Sequence, residues 1–139
     1  MPDDIERTVL AGCPETIATA VAAGGDAVGV VGSSCTDPER LRMAIKRALK
    51  ERSVWKPLVE TLSVAAGALG APIRGEPVPA PPYLAVTSRG PVCRATLADG
   101  RRLLVRVELF AVERRPREYR FRNPSPESAL TVALIAPNS

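Results

Sequence analysis

The sequence predicts an α+β fold in which about three N-terminal helices pack on a C-terminal antiparallel β-meander of three to five strands. Two changes of pattern carry that prediction. Apolar residues recur at helical spacing as far as Leu69 and Gly70, and beyond Tyr83 they alternate with a period of two. Between the two patterns, "APIRGEPVPAPP" at residues 71–82 holds five prolines and reads as a stiff, extended connector. The 139 residues thus divide into a helical half (1–70), a connector (71–82) and a β half (83–139), which is one domain's length and enough to bury a core without disulfides or a metal.

In the helical half, Ile5, Val9, Ile17, Ala20 and Val21 place residues 4–23 on a helical period. Pro14 divides this stretch into two short helices or kinks a single one, and Gly24-Gly25 is expected to end it. "DAVGVVGSS" at 26–34 reads either as a short buried strand or as a loop. Thr36-Asp37-Pro38-Glu39 is a helix start: Thr36 or Asp37 can cap, Pro38 suits the first turn, and Glu39 stands three residues after Thr36 as in a capping box. That helix runs to about Arg52 with Leu41, Ile45, Ala48 and Leu49 on one face and a basic opposite face. A third helix covers about 54–69, with Trp55 as a packing anchor and Gly70 as its stop.

In the β half, 83–88 and 92–98 flank a turn at Arg-Gly-Pro, and Asp99-Gly100 turns the chain into the longest predicted strand, 103–114. Residues 118–122 are expected as a short edge strand and 129–135 as the last one.

Composition narrows the chemistry. Aromatics make up only 4% of the chain, so the core is aliphatic. Histidine is absent, which removes Ser-His-Asp and Cys-His catalysis and His-ligated metals. Cys13, Cys35 and Cys93 are far apart, without a Cys-x-x-Cys, and odd in number, the pattern of buried or half-buried free thiols rather than of a disulfide framework. No run reaches the roughly 18 apolar residues of a membrane helix, and the acidic opening Asp3, Asp4, Glu6 does not suit a signal peptide. The expectation is a cytoplasmic protein without membrane contact, cofactor or metal. No carboxylate pair stands out, and the glycines Gly25, Gly29 and Gly32 match neither a P-loop nor a dinucleotide fingerprint.

The tract "VPAPPYLAVTSRGPVCRATLADGRRLLVRVELFAVER", together with "SSCTDPERLR" and "SVWKPL", resembles a group of uncharacterised archaeal proteins, mostly haloarchaeal, over most of residues 3–115. The resemblance implies no activity, cofactor or site residue. The net charge of +4 departs from the strongly acidic composition usual among haloarchaeal proteins.

Charge is uneven. Residues 101–122 hold eight arginines against Glu108, Glu113 and Glu118, whereas residues 1–100 are balanced. Two function classes follow. The first is a small non-enzymatic interaction or regulatory module whose partner is another protein or a second copy of the chain, joined through a sheet edge. The alternative is nucleic-acid binding through Arg101, Arg102, Arg106, Arg114, Arg115, Arg117, Arg120 and Arg122, with Tyr119 and Phe121 stacking on bases and the basic 39–52 helix adding charge. Arg89 and Arg94, free of any structural task, are expected as a basic rim. An enzyme would need a reactive cysteine or lysine, and Cys35 beside the helix start is the only cysteine placed to have a lowered pKa.

Overall fold

A computed structural model of the chain describes residues 2–137. In chain order the elements are α1 (Pro2–Gly12), α2 (Pro14–Val31), β1 (Ser34–Cys35), α3 (Pro38–Glu51), α4 (Trp55–Leu69), β2 (Leu84–Thr87), β3 (Gly90–Thr96), β4 (Arg102–Val107), β5 (Phe110–Arg114), β6 (Arg117–Phe121), α5 (Pro126–Ala129) and β7 (Leu130–Ile135). The α+β class is as the sequence predicts, with helices in the N-terminal half and antiparallel strands mostly C-terminal. The strands form two sheets rather than one meander: four strands in the order β2-β3-β4-β7, and three in the order β1-β6-β5.

The helices take one face of the larger sheet. α4 packs on β3 and β4, α1 on β7 and α4, and α3 on α2 and β2. Between the layers Ile17, Leu41, Ile45, Leu58 and Leu62 meet Leu84, Leu97 and Leu103, all at most 1% exposed. Each such side chain contributes about 1.5–3 kcal/mol on burial.

Several starts and stops follow local rules. The Asp37 carboxylate accepts a hydrogen bond from the Arg40 N–H at 3.1 Å and caps α3. Glu39 does not reach back to Thr36; it pairs with Arg42 instead. Gly70 ends α4 in the left-handed region (φ 67°).

The expected helix stop at Gly24-Gly25 is not a stop. α2 runs through both glycines to Val31. A Cβ at Gly24 would lie 3.0 Å from Phe121 Cε1 and 3.1 Å from Leu109 Cδ2, so glycine here admits the smaller sheet against the helix. That packing outweighs a propensity cost of about 1 kcal/mol per glycine. The 26–34 stretch is accordingly helix for most of its length, and only Ser34 enters a strand.

The expected strand at 103–114 is two strands in different sheets. Leu109 and Phe110 are both 0% exposed, which a strand buried on one face cannot provide for adjacent residues. The backbone therefore leaves the larger sheet at Glu108. The Arg89 carbonyl accepts from the N–H groups of Leu109 (2.7 Å) and Phe110 (3.1 Å), and Glu108 N–H donates to the Ala129 carbonyl. Gly90 (φ 146°) makes this crossing possible, because a Cβ there would fall 2.0 Å from the Val107 oxygen.

The predicted edge strand at 118–122 is central. β6 lies between β5 and the two-residue β1, with Ser34 opposite Arg120 and Cys35 opposite Tyr119. The connector is more than a spacer. Ile73 bridges to Leu97, Arg74 N–H donates to the Thr96 carbonyl, and the Trp55 indole N–H donates to the Pro79 carbonyl at 2.8 Å.

Candidate functional site

Strand alternation divides the larger sheet into a buried and an open face. Leu84, Cys93, Leu103, Val105 and Val132 point to the helices and are at most 3% exposed. Opposite to them, Arg94 on β3 and Arg102 and Arg106 on β4 point outward, and no helix covers them. Register sets their spacing: Arg94 pairs directly with Leu104, so Arg102 and Arg106 are its two diagonal neighbours, with Cβ atoms roughly 7–8 Å away. Arg74, delivered by the connector, joins them at one end.

Among the described residues, Arg74, Arg94, Arg102 and Arg106 take part in no ion pair, and none of the outward strand positions carries a carboxylate. Glu108, at the rim of this face, is engaged by Arg89 at 3.6 Å and Arg122 at 3.9 Å. Like charges at diagonal sheet positions repel, so the sheet holds an uncompensated positive field.

Two shallow grooves cross this face. One of about 490 Å³ is lined by Arg74, Tyr83, Arg94, Arg102, Leu104 and Ile135. The other, of about 340 Å³, lies towards Thr87, Arg89 and Arg106. They share Arg94 and Leu104, forming one trough with an apolar floor and guanidinium walls.

The arginine-rich segment does not assemble as one surface. Only Arg102 and Arg106 of its eight arginines reach the open face. Arg101 turns onto Asp99 at 2.9 Å, and the Asp99 carboxyl is held below its ordinary range by the hydrogen bonds from Arg101. Arg114, Arg115 and Arg117 form the exposed tip of the β5–β6 hairpin, with Arg114 opposite Arg117. Arg120 sits 3.1 Å from both Glu113 and Glu118. Arg122 is structural, donating to the carbonyls of Glu108 (2.8 Å) and Ser128 (3.0 Å) and so clamping the crossing between the sheets.

The two aromatics expected to stack on bases are also turned inward. Tyr119 is 7% exposed and belongs to the core cluster, with Cys35 of β1 and Val112 of β5 as its cross-strand neighbours. Phe121 packs on Phe110, with ring centroids 5.3 Å apart, and against Gly24. The basic α3 face lies on the opposite side of the larger sheet from the open face, and most of its charge is spent locally. Arg42 pairs with Glu39, Arg47 with Glu51, and Arg52 with Asp26, while Lys50 lies 5.3 Å over the Trp55 ring. The Arg52 hydrogen bond holds the Asp26 carboxyl below its usual value.

The basic rim expected at Arg89 and Arg94 divides. Arg94 is the centre of the open face, whereas Arg89 is taken up by Glu108 and by its own carbonyl's bonds. Arg74 and Tyr83 are the members that linear reading does not bring in. Their signal is only that the connector must run beside β3, which no motif announces.

The thiols occupy three environments. Cys35 is buried and its Sγ donates to the Asp37 carbonyl at 3.4 Å. Cys93 is buried against α4, donating to the Leu58 carbonyl at 3.3 Å, and burial pushes its pKa up to about 12. Cys13 is half-buried, with its pKa raised by burial and by the Glu60 charge. Among the described residues no helix is long and apolar enough to cross a membrane.

Neither a curated protein nor a solved structure matches the chain. A family model described as a domain of unknown function, DUF7988, matches residues 3–135. That match takes in the helical layer, the connector and both sheets, and the chain belongs to the DUF7988 family.

Proposed function

We propose that the protein is a non-enzymatic cytoplasmic interaction module that engages an anionic partner through the open face of its larger sheet. One observation carries the reading: Arg74, Arg94, Arg102 and Arg106 share that face without a carboxylate among the outward strand positions. Guanidinium groups recognise phosphate and carboxylate in bidentate geometry, and an anion on this face relieves the mutual repulsion of the four arginines. The three cysteines are free thiols, in keeping with a reducing compartment.

The test is binding of anionic polymers (inorganic polyphosphate, polyglutamate and single-stranded oligonucleotides) followed by calorimetry at about 50 mM salt and again at higher salt. At least one is expected to bind, with affinity falling steeply as salt rises. The double variant Arg94→Glu/Arg106→Glu is expected to abolish binding, whereas Arg115→Glu/Arg117→Glu at the hairpin tip leaves most of it. Binding of none of the polymers, or loss only with the hairpin-tip variant, would refute the assignment.

A further inference from the structure

Resting on the anionic-partner reading, we infer that the occupant of the open face is a single strand of nucleic acid laid along β3 and β4, with a base seated over Leu104 beside Tyr83. The composition of the trough supports this. A purely electrostatic surface for a polyanion needs no apolar floor, yet here the arginines surround Leu104, which pairs with Arg94 on one side and Ala133 on the other, and the groove is walled by Tyr83 and Ile135. Ile135 is 45% exposed. Alternating guanidinium and apolar surface matches a polymer in which phosphates alternate with flat apolar rings.

The other polymers fit less well. An acidic peptide that docks on a sheet adds itself to an edge strand through main-chain hydrogen bonds. One edge, β7, has its Val132 N–H already taken by the Glu6 carboxylate at 2.9 Å. The other, β2, is four residues long and follows Pro81-Pro82. A duplex presents phosphates but keeps its bases stacked inside, out of reach of a shallow floor at the level of the arginines. Only a strand with unstacked bases meets both the charge and the apolar floor.

Arg102 and Arg106, four residues apart on β4, set the length of the track at about 13 Å. Arg74 extends it past the end of β3. Tyr83 is half-buried, so its ring is fixed by the core on one side and free towards the groove on the other. Stacking on such a ring demands little ordering of the side chain.

The experiment compares fluorescein-labelled single-stranded RNA and DNA of about 12 nucleotides with the corresponding duplexes and with polyphosphate of matched charge, at moderate salt. Single strands are expected to bind at least about tenfold more tightly than either, because only they add stacking to the phosphate contacts. Tyr83→Ala is expected to weaken single-strand binding about 5- to 100-fold while leaving polyphosphate affinity unchanged, and Tyr83→Phe to restore it. An unchanged cooperative thermal transition shows that the variant is folded. Equal binding of all polymers with no effect of Tyr83→Ala would overturn the single-strand assignment and leave the anionic-partner reading standing. Tighter binding of duplex or polyphosphate would do the same. Failure of every polymer to bind would instead remove the underlying reading.

Discussion

Two adjacent glycines in α2 are expected to respond differently to the same substitution. In a helix interior alanine is favoured over glycine by about 0.8–1.0 kcal/mol. A Cβ at Gly25 meets nothing within 4 Å, so Gly25→Ala keeps that gain, worth a rise in Tm of about 3 °C for a chain of this size. A Cβ at Gly24 meets Phe121 Cε1 at 3.0 Å and Leu109 Cδ2 and Cβ at 3.1 and 3.3 Å. Leu109 is fully buried and Phe121 is braced by Phe110, so relief requires the root of the β5–β6 hairpin to move. Overpacking of this kind costs about 1–3 kcal/mol, which offsets or exceeds the helical gain. The two alanine variants should therefore differ by about 1–3 kcal/mol, with Gly25→Ala the more stable. Urea denaturation of both, with the transition slopes shown to be equal, measures the difference directly. Equal stabilisation by the two substitutions would refute the claim that Gly24 is kept for close approach of the smaller sheet.

The thiols give a second prediction: maleimide labelling of the native protein, followed by mass spectrometry, should modify half-buried Cys13 first. Cys93 should stay unmodified throughout the ordinary pH range, because its pKa of about 12 keeps the thiol protonated and α4 covers it; labelling of Cys35 ahead of Cys13 would reopen the enzyme hypothesis. A third concerns the β7 edge. Glu6→Ala frees the Val132 N–H and removes a charged hydrogen bond worth about 1.5–3 kcal/mol, so the variant is expected to lose stability and to self-associate in light scattering, whereas a monomeric variant of unchanged stability would mean that Glu6 does not guard the edge.

How far the fold could be read in the chain depends on how local its causes are. The α3 cap at Asp37 and the Gly70 stop rest on interactions within a few residues, and both were legible. Gly24-Gly25 has the same letters as a helix end, and only Phe121 and Leu109, nearly a hundred residues later, turn one of them into a packing position. The break at Glu108 was hidden for a different reason. Alternation from Leu103 to Val107 continues without a flaw into Leu109, and the signal against one long strand is the pair Leu109-Phe110, two large apolar neighbours that one buried face cannot both accept. That signal is in the sequence, but it acquires meaning only when a second sheet exists to bury Phe110, and β1, two residues long, gives no sign of completing that sheet.

The candidate site was hidden by the same crossing. Arginines contiguous in sequence are distributed by strand parity and by the change of sheet, so Arg101 and Arg102 part company at once, and Arg120 and Arg122 end on carboxylates and carbonyls. The unpaired arginines of the open face are drawn from three separate stretches, at Arg74, Arg94 and the Arg102–Arg106 pair, while Arg114, Arg115 and Arg117 stay apart at the hairpin tip. A linear density of charge therefore overstated the hairpin and understated the sheet. The charges engaged with nearby partners stabilise the crossing and the helical layer, whereas those left on the open face destabilise it slightly through mutual repulsion. A sheet that needed only to exclude neighbours would gain as much from lysines interspersed with glutamates. Four arginines around a leucine floor, with the acids placed elsewhere, form instead a surface whose repulsion is relieved only when something anionic arrives.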